Sequence, residues 1–201
     1  SGVTDILIIT NRGKYAIEDY FDYSPEYEET LRKKGKNDII DSLRSAANRA
    51  NIYFIRQKEA RGLGDAVLRA KSFIGSEPFY VLYGDDIIMS EKPVCLQLAE
   101  AYDKYNLAVA GVKEVSAEQI LKYSSLDAKP IPGESNFYHV TDMIEKPKPE
   151  EVITRLSILG RVLLTPDIFD ILSSTKPGAG GEIQLTDAMR DLARSKGMTA
   201  V

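Results

Sequence analysis

The sequence of 201 residues has one cysteine, one histidine and no tryptophan. A single thiol, Cys95, leaves no internal disulfide and no thiolate metal site, which fits a reducing compartment. His139 alone excludes a multi-histidine zinc site. Basic charge is not in excess: 26 Lys and Arg face 30 Asp and Glu, a net charge of -4. That balance argues against broad affinity for nucleic acid or for anionic membrane surfaces. No apolar run approaches the roughly 18 residues of a membrane span, and Ser1-Gly2-Val3-Thr4-Asp5 lacks the basic start and apolar stretch of a signal peptide. A cytoplasmic chain is expected. No initiator methionine stands before the strand-like run at Ile6, so the sequence is read as starting inside a longer one. Neither G-x-x-x-x-G-K-[ST] nor G-x-S-x-G occurs, which removes the Walker-type NTPases and the nucleophile-elbow hydrolases. His139, between Tyr138 and Val140, reads as a surface strand residue, and Cys95 as buried filler.

What is present is ordinary material for a packed domain: 43% hydrophobic residues, 28% charged, 11 Tyr and 6 Phe. One domain over residues 1–201 is expected. Ile6-Leu7-Ile8-Ile9-Thr10 reads as a buried strand closed by Asn11-Arg12-Gly13. Residues 14–21 and the charge-rich residues 25–50 read as helical, the second opening on Ser24-Pro25. Strands follow at 52–55, 79–83, 107–112, 137–144 and 158–164, and helices at 65–73, 96–105, 116–123 and 185–196. Ser116 and Gln119 have capping-box spacing. Residues 127–134, with Pro130, Pro132 and Gly133, read as an exposed excursion. Strands alternating with helices predict an α/β fold with a largely parallel sheet and ligands at the carboxyl ends of its strands.

Three segments carry chemistry. Gly62-Leu63-Gly64-Asp65-Ala66-Val67 opens a helix as a phosphate loop does, but Val67 stands where a dinucleotide fingerprint needs its last glycine. Asp65 at the helix start would repel phosphate, so the loop suits an uncharged base or ribose; Gly64-Asp65 also reads as a plain turn and N-cap. Gly84-Asp85-Asp86 follows an apolar strand. On extended backbone the two carboxylates project to opposite sides, so one of them faces a ligand cleft, and one carboxylate with substrate phosphates is the usual way Mg²⁺ is held. The alternative is a turn in which one Asp caps the next segment. In Glu145-Lys146-Pro147-Lys148-Pro149, both lysines precede proline and are expected extended. A Lys there can neutralise phosphate and a Glu can bond sugar hydroxyls; such a run is also a common solvated loop.

In order and spacing, these pieces resemble the bacterial UTP–glucose-1-phosphate uridylyltransferases. The residues that carry the resemblance are Thr4 to Thr10, Ala16 to Asp22, Arg56-Gln57-Lys58-Glu59 before Gly62, Gly84-Asp85-Asp86, Glu145-Lys146-Pro147 and Ile158-Leu159-Gly160-Arg161. The longest is Pro177-Gly178-Ala179-Gly180-Gly181-Glu182-Ile183-Gln184-Leu185-Thr186-Asp187-Ala188. The resemblance implies a Rossmann-like nucleotide-diphospho-sugar transferase fold, a mixed, mostly parallel sheet flanked by helices. It implies that UTP and glucose 1-phosphate give UDP-glucose and pyrophosphate by Mg²⁺-dependent in-line attack, a reaction of positioning and charge neutralisation that needs no histidine base.

By the same resemblance Gln57, Gly62, Gly64 and Asp86 bind the nucleotide, Asp85 holds Mg²⁺, Lys146 meets the sugar phosphate, and Ser124, Glu145 and Gly160 face the sugar. Partners are these small molecules, in a homo-oligomer, with no nucleic acid and no membrane. The family's first strand and its Gly-rich loop belong before Ser1, and a second metal-binding Asp belongs after Val201. The sequence is therefore read as a fragment, inactive alone, with a sheet edge open to another chain. The family commonly has His at Asp65 and Gly at Ser124. These departures keep open a different nucleotide and sugar pair, such as dTTP with glucose 1-phosphate or UTP with N-acetylglucosamine 1-phosphate. They also keep open a non-catalytic, nucleotide-sugar-binding regulator.

Overall fold

The first β-branched run forms a strand because its neighbour is another of the same kind. In the computed structural model, which describes residues 2–201 and only the backbone of Ala179, β1 (Asp5–Thr10) pairs in parallel with β2 (Asn51–Arg56), Asp5 opposite Asn51 through Thr10 opposite Arg56. Between them run α1 (Tyr15–Phe21), α2 (Pro25–Lys33) and α3 (Asn37–Ala47). The helical segment expected over 25–50 is thus two helices. The Lys34, Gly35 and Lys36 amides turn back to the carbonyls of Thr30, Leu31 and Arg32 and end α2. The helices bury Leu31 and Ile40 and are joined by Glu28, whose carboxylate accepts from Arg44 Nε at 3.0 Å and Nη2 at 2.6 Å. These elements make one compact unit, residues 2–60.

Residues 61–201 make a second compact unit. It holds α4 (Leu63–Arg69), α5 (Lys71–Ile74), β3 (Phe79–Leu82), α6 (Val94–Tyr105), β4 (Ala108–Glu114), β5 (Ser124–Pro130) and β6 (Tyr138–Glu145). β7 (Leu156–Leu164), α7 (Asp167–Ser174), α8 (Leu185–Lys196) and β8 (Met198–Ala200) complete it. The six strands lie in the order β3-β7-β4-β8-β6-β5. Alternation along β4 and β7 sorts the core: Ala110, Val162 and Leu164 face the cluster under α7 and α8, while Val109 and Leu163 face Leu98 and Ala101 of α6. Phe79 stacks on Phe169 with ring centroids 5.1 Å apart.

The expected mixed α/β architecture with helices on both sheet faces is present, but the strand directions differ from expectation. Only β4–β8 is parallel in this sheet; β3–β7, β7–β4, β8–β6 and β6–β5 are antiparallel. Alternation of strand and helix in sequence does not set direction where sheet neighbours are not consecutive, and a short connection such as that between β5 and β6 forces an antiparallel pair. For the same reason residues 127–134 are not an excursion: Asp127 to Pro130 continue β5, and the Ile131 amide closes onto the Phe137 carbonyl at 2.9 Å. The Ser116 and Gln119 side chains and amides cap one another at 3.2 Å each way, yet the helix beyond is only the 3₁₀ turn Ile120–Lys122. No helix among the described residues is long and apolar enough to cross a membrane.

Candidate functional site

β3 gives out at Leu82, and the chain turns at once. The Tyr83 amide still donates to the Gly160 carbonyl at 2.9 Å, and the Asp86 amide returns to the Tyr83 carbonyl at 3.3 Å, leaving Gly84 and Asp85 as the central turn residues. Asp85 and Asp86 are therefore in a turn and not on extended backbone, and both residues line one cavity. The turn is held from β7 by Arg161. Its guanidinium donates to the Tyr83 carbonyl at 3.1 Å, the Gly160 carbonyl at 2.6 Å and the Asp86 carbonyl at 2.8 Å. Gly160, at φ +70°, lies under the Asp86 side chain, where a Cβ would come within 2.6 Å of the Asp86 Cβ. Gly160 is buried beneath Asp86, and Ile158 and Leu159 supply the β7 wall of the cavity.

The opposite wall comes from the end of β6. Glu145 pairs with Ser124 of β5 and accepts from Thr186 Oγ1 at 2.8 Å. Thr186 is the second residue of α8, so the carboxylate lies at the positive end of that helix. Lys146 departs from expectation. It adopts φ +47° and donates its amide to the Tyr123 carbonyl at 2.7 Å, whereas Lys148 is extended at φ -70°, ψ 160°. The bias of a residue before proline against helical geometry still leaves the left-handed region, and the Tyr123 contact selects it at a cost of about 1–2 kcal/mol.

Ser124 lines the cavity, but its hydroxyl turns into the sheet, accepting the Ile158 amide at 3.3 Å, 3.5 Å from Ser157 Oγ. The cavity, about 260 Å³, is completed by Tyr83 and Tyr123. Burial pushes the Tyr83 phenol well above its ordinary pKa of 10.0, and the Glu145 and Asp86 carboxylates reinforce the shift. Its hydroxyl has no hydrogen-bond partner among the described residues. Sequence reasoning missed Tyr83 and Thr186 as site residues. The signal for Tyr83 was its place immediately before Gly84-Asp85-Asp86, but its apolar strand neighbours made it look like core.

The glycine loop has a nearer use than a ligand. The Gly64 amide donates to the Ile183 carbonyl and the Ile183 amide to the Arg61 carbonyl, each at 2.8 Å. A Cβ on Gly62 or Gly64 would sit 2.7 or 2.8 Å from that Ile183 carbonyl oxygen. The glycines thus admit the chain's own backbone, and the Gly64 amide is committed to it. Asp65 is buried and paired with Arg69 one turn on. Gln57 belongs to the unit of residues 2–60, where its amide donates to the Thr10 carbonyl at 2.8 Å.

Comparison with known proteins decides the family. The family model described as "Nucleotidyl transferase" matches residues 1–200. The chain belongs to the nucleotidyl transferase family. Among this family's curated members, it is 48% identical over 196 residues to the UTP–glucose-1-phosphate uridylyltransferase YngB of Bacillus subtilis (strain 168), with 98% of this chain and 65% of that protein covered. It is 46% identical over 195 residues to UTP–glucose-1-phosphate uridylyltransferase 2 of Staphylococcus saprophyticus, covering 97% of this chain and 67% of that protein. The chain therefore spans about two thirds of the length of the relatives it matches. A UDP-glucose pyrophosphorylase crystallised with UDP-glucose matches with TM-score 0.88 at 38% identity, over 99% of this chain and 72% of that one. A UTP-bound UGPase from Acinetobacter baumannii matches with TM-score 0.86 at 30% identity, over 99% and 69%.

At the turn after β3 the donor set suits a hard divalent cation. Asp85, Asp86 and Glu145 make no ion pair with Lys or Arg among the described residues, and Arg161 spends its donors on carbonyls. No cluster of three or more His, Cys, Asp or Glu side chains in metal-binding geometry occurs among those residues. One or two carboxylates completed by water and substrate phosphates is how Mg²⁺ is commonly bound, and the Asp85–Asp86 turn offers that.

Proposed function

We propose that this chain is a nucleotidyltransferase domain of the UTP–glucose-1-phosphate uridylyltransferase type, which joins UTP and glucose 1-phosphate into UDP-glucose and releases pyrophosphate. The observation that carries this reading is the convergence of Asp85, Asp86 and Glu145 on one cavity without a cationic partner, in a family whose similar members bear that name. A phosphate beside Asp85 would need a divalent cation between them, whereas at Glu145 a sugar presents hydroxyl donors that a carboxylate accepts.

The roles assigned are those the family resemblance implies. A glucose hydroxyl donates to Glu145. Lys146, exposed just beyond β6, neutralises the sugar phosphate whose oxygen forms the new bond to the α-phosphorus of UTP as the bond to pyrophosphate breaks. Asp85 would hold Mg²⁺, which supplies charge neutralisation across the phosphates when bound. Gln57, the loop around Gly62 and Gly64, and Asp86 serve the nucleotide, and Ser124 and Gly160 shape the sugar side. The reading assigns the work to the cytoplasm. The reading also assigns the chain to a homo-oligomer.

Calorimetric titration of UDP-glucose and dTDP-glucose with and without Mg²⁺, alongside Asp85→Asn, tests this. The expected result is Mg²⁺-dependent preference for UDP-glucose that the variant loses. Equal, metal-independent binding of both nucleotide sugars would refute it.

A further inference from the structure

The hydrogen bond between Thr186 and Glu145 has a consequence for selectivity. Glu145 is half-buried at the end of β6, and its only side-chain bond among the described residues is the one Thr186 Oγ1 donates to Oε2. Thr186 is itself buried, on the first turn of a twelve-residue helix packed against β6. α8 is anchored by fully buried Leu185, Met189 and Leu192, so the donor is a fixed point. One carboxylate oxygen thereby accepts from Thr186, and the other, Oε1, has no hydrogen-bond partner among the described residues. A carboxylate free to rotate offers its oxygens in many directions; one tied at Oε2 is held in one orientation, so Oε1 is presented in a fixed direction.

The geometry points to Thr186 as a positioning residue that aims Glu145 Oε1 at one sugar hydroxyl and so sets how strongly the site prefers a nucleotide sugar to the bare nucleotide. This rests on the reading of Glu145 as a sugar contact. The hydroxyl need not touch the sugar. Its effect passes through Glu145, because a group that accepts from a ligand hydroxyl discriminates steeply only when it is held in place.

Calorimetry of UDP-glucose and of UDP with the parent chain, Thr186→Val and Thr186→Ser separates the possibilities. Valine keeps the shape of threonine and removes the donor; serine keeps the donor. The expected result is about a tenfold loss of UDP-glucose affinity in T186V, as for one hydrogen bond to a charged group. UDP affinity and melting temperature should stay at parent values, and T186S should restore most of the loss. Parent-like UDP-glucose binding by T186V would overturn the role of Thr186 alone. An equal loss for UDP and UDP-glucose would overturn it in favour of a structural role. A parent chain that binds UDP-glucose no better than UDP would overturn the sugar reading of Glu145, and this inference with it.

Discussion

The side chain of Asp86 lies directly against the Cα of Gly160, so the turn after β3 and β7 fit together there only because position 160 has no side chain. Gly160→Ala meets both an overlap with Asp86 and a left-handed φ of +70°. The two effects, about 1–2 kcal/mol of strain and about 1–3 kcal/mol of overpacking, predict a loss of roughly 2–5 kcal/mol. Urea unfolding of the variant beside the parent measures it, with an unchanged midpoint the contrary outcome.

Arg161 staples the carbonyls of Tyr83, Gly160 and Asp86. Lysine keeps the charge but cannot span separate carbonyls with a planar fork. Arg161→Lys is expected to cost about 1–3 kcal/mol and to speed exchange of the Asp86 amide, whose bond to Tyr83 at 3.3 Å closes the turn. Amide exchange by NMR reads this site directly; unchanged protection at Asp86 would show that the turn holds without the staple.

Lys146 occupies the left-handed region at φ +47°, which glycine enters without cost. Lys146→Gly is expected to leave stability unchanged or raised by about 1 kcal/mol, and, on the proposed reading of Lys146 as a phosphate contact, to lower nucleotidyl-transfer activity by roughly tenfold or more, as for one lost bond to a charged group. Stability and activity moving down together would mean that the lysine serves the fold.

The pair formed by Glu28 and Arg44 gives the unit of residues 2–60 a pH dependence. The Arg44 hydrogen bonds hold the Glu28 carboxyl below the ordinary 4.5, against the opposing effect of burial. A depressed folded-state pKa contributes stability that is complete above 4.5 and is lost as pH falls through the lower folded value. The difference in melting temperature between parent and Glu28→Gln is therefore expected to be largest near neutral pH and to shrink below 4.5. A difference constant from pH 7 to pH 3 would sink this account.

Much of the fold was legible in the chain. Ile6-Leu7-Ile8-Ile9-Thr10 and the apolar run before Gly84 read as strands, and residues 185–196 read as the last helix with the bounds found. Those readings worked because periodicity and punctuation are local. Direction was not local: β3 and β7 are about 80 residues apart, and nothing in either states that they run antiparallel. Short β8, set by its pairing with β4 and β6, was missed for the same reason. α7 was overlooked although its signal is local: Ile168, Phe169 and Leu172 recur at helical spacing and are the residues it buries.

At the site, the sequence by itself determined which carboxylates, lysine and glycines were available and in what order, since turn chemistry and charge are written in residue types. Tertiary structure alone decided what each was free to do. It turned Asp85 and Asp86 into one cavity through a turn fixed by Arg161, and it spent the Gly64 amide on Ile183. It also set Thr186 beside Glu145 across 41 positions of sequence. Hydrogen bonds between distant segments depend on how the segments pack, and packing is a property of the whole sheet and its helices, not of any one motif.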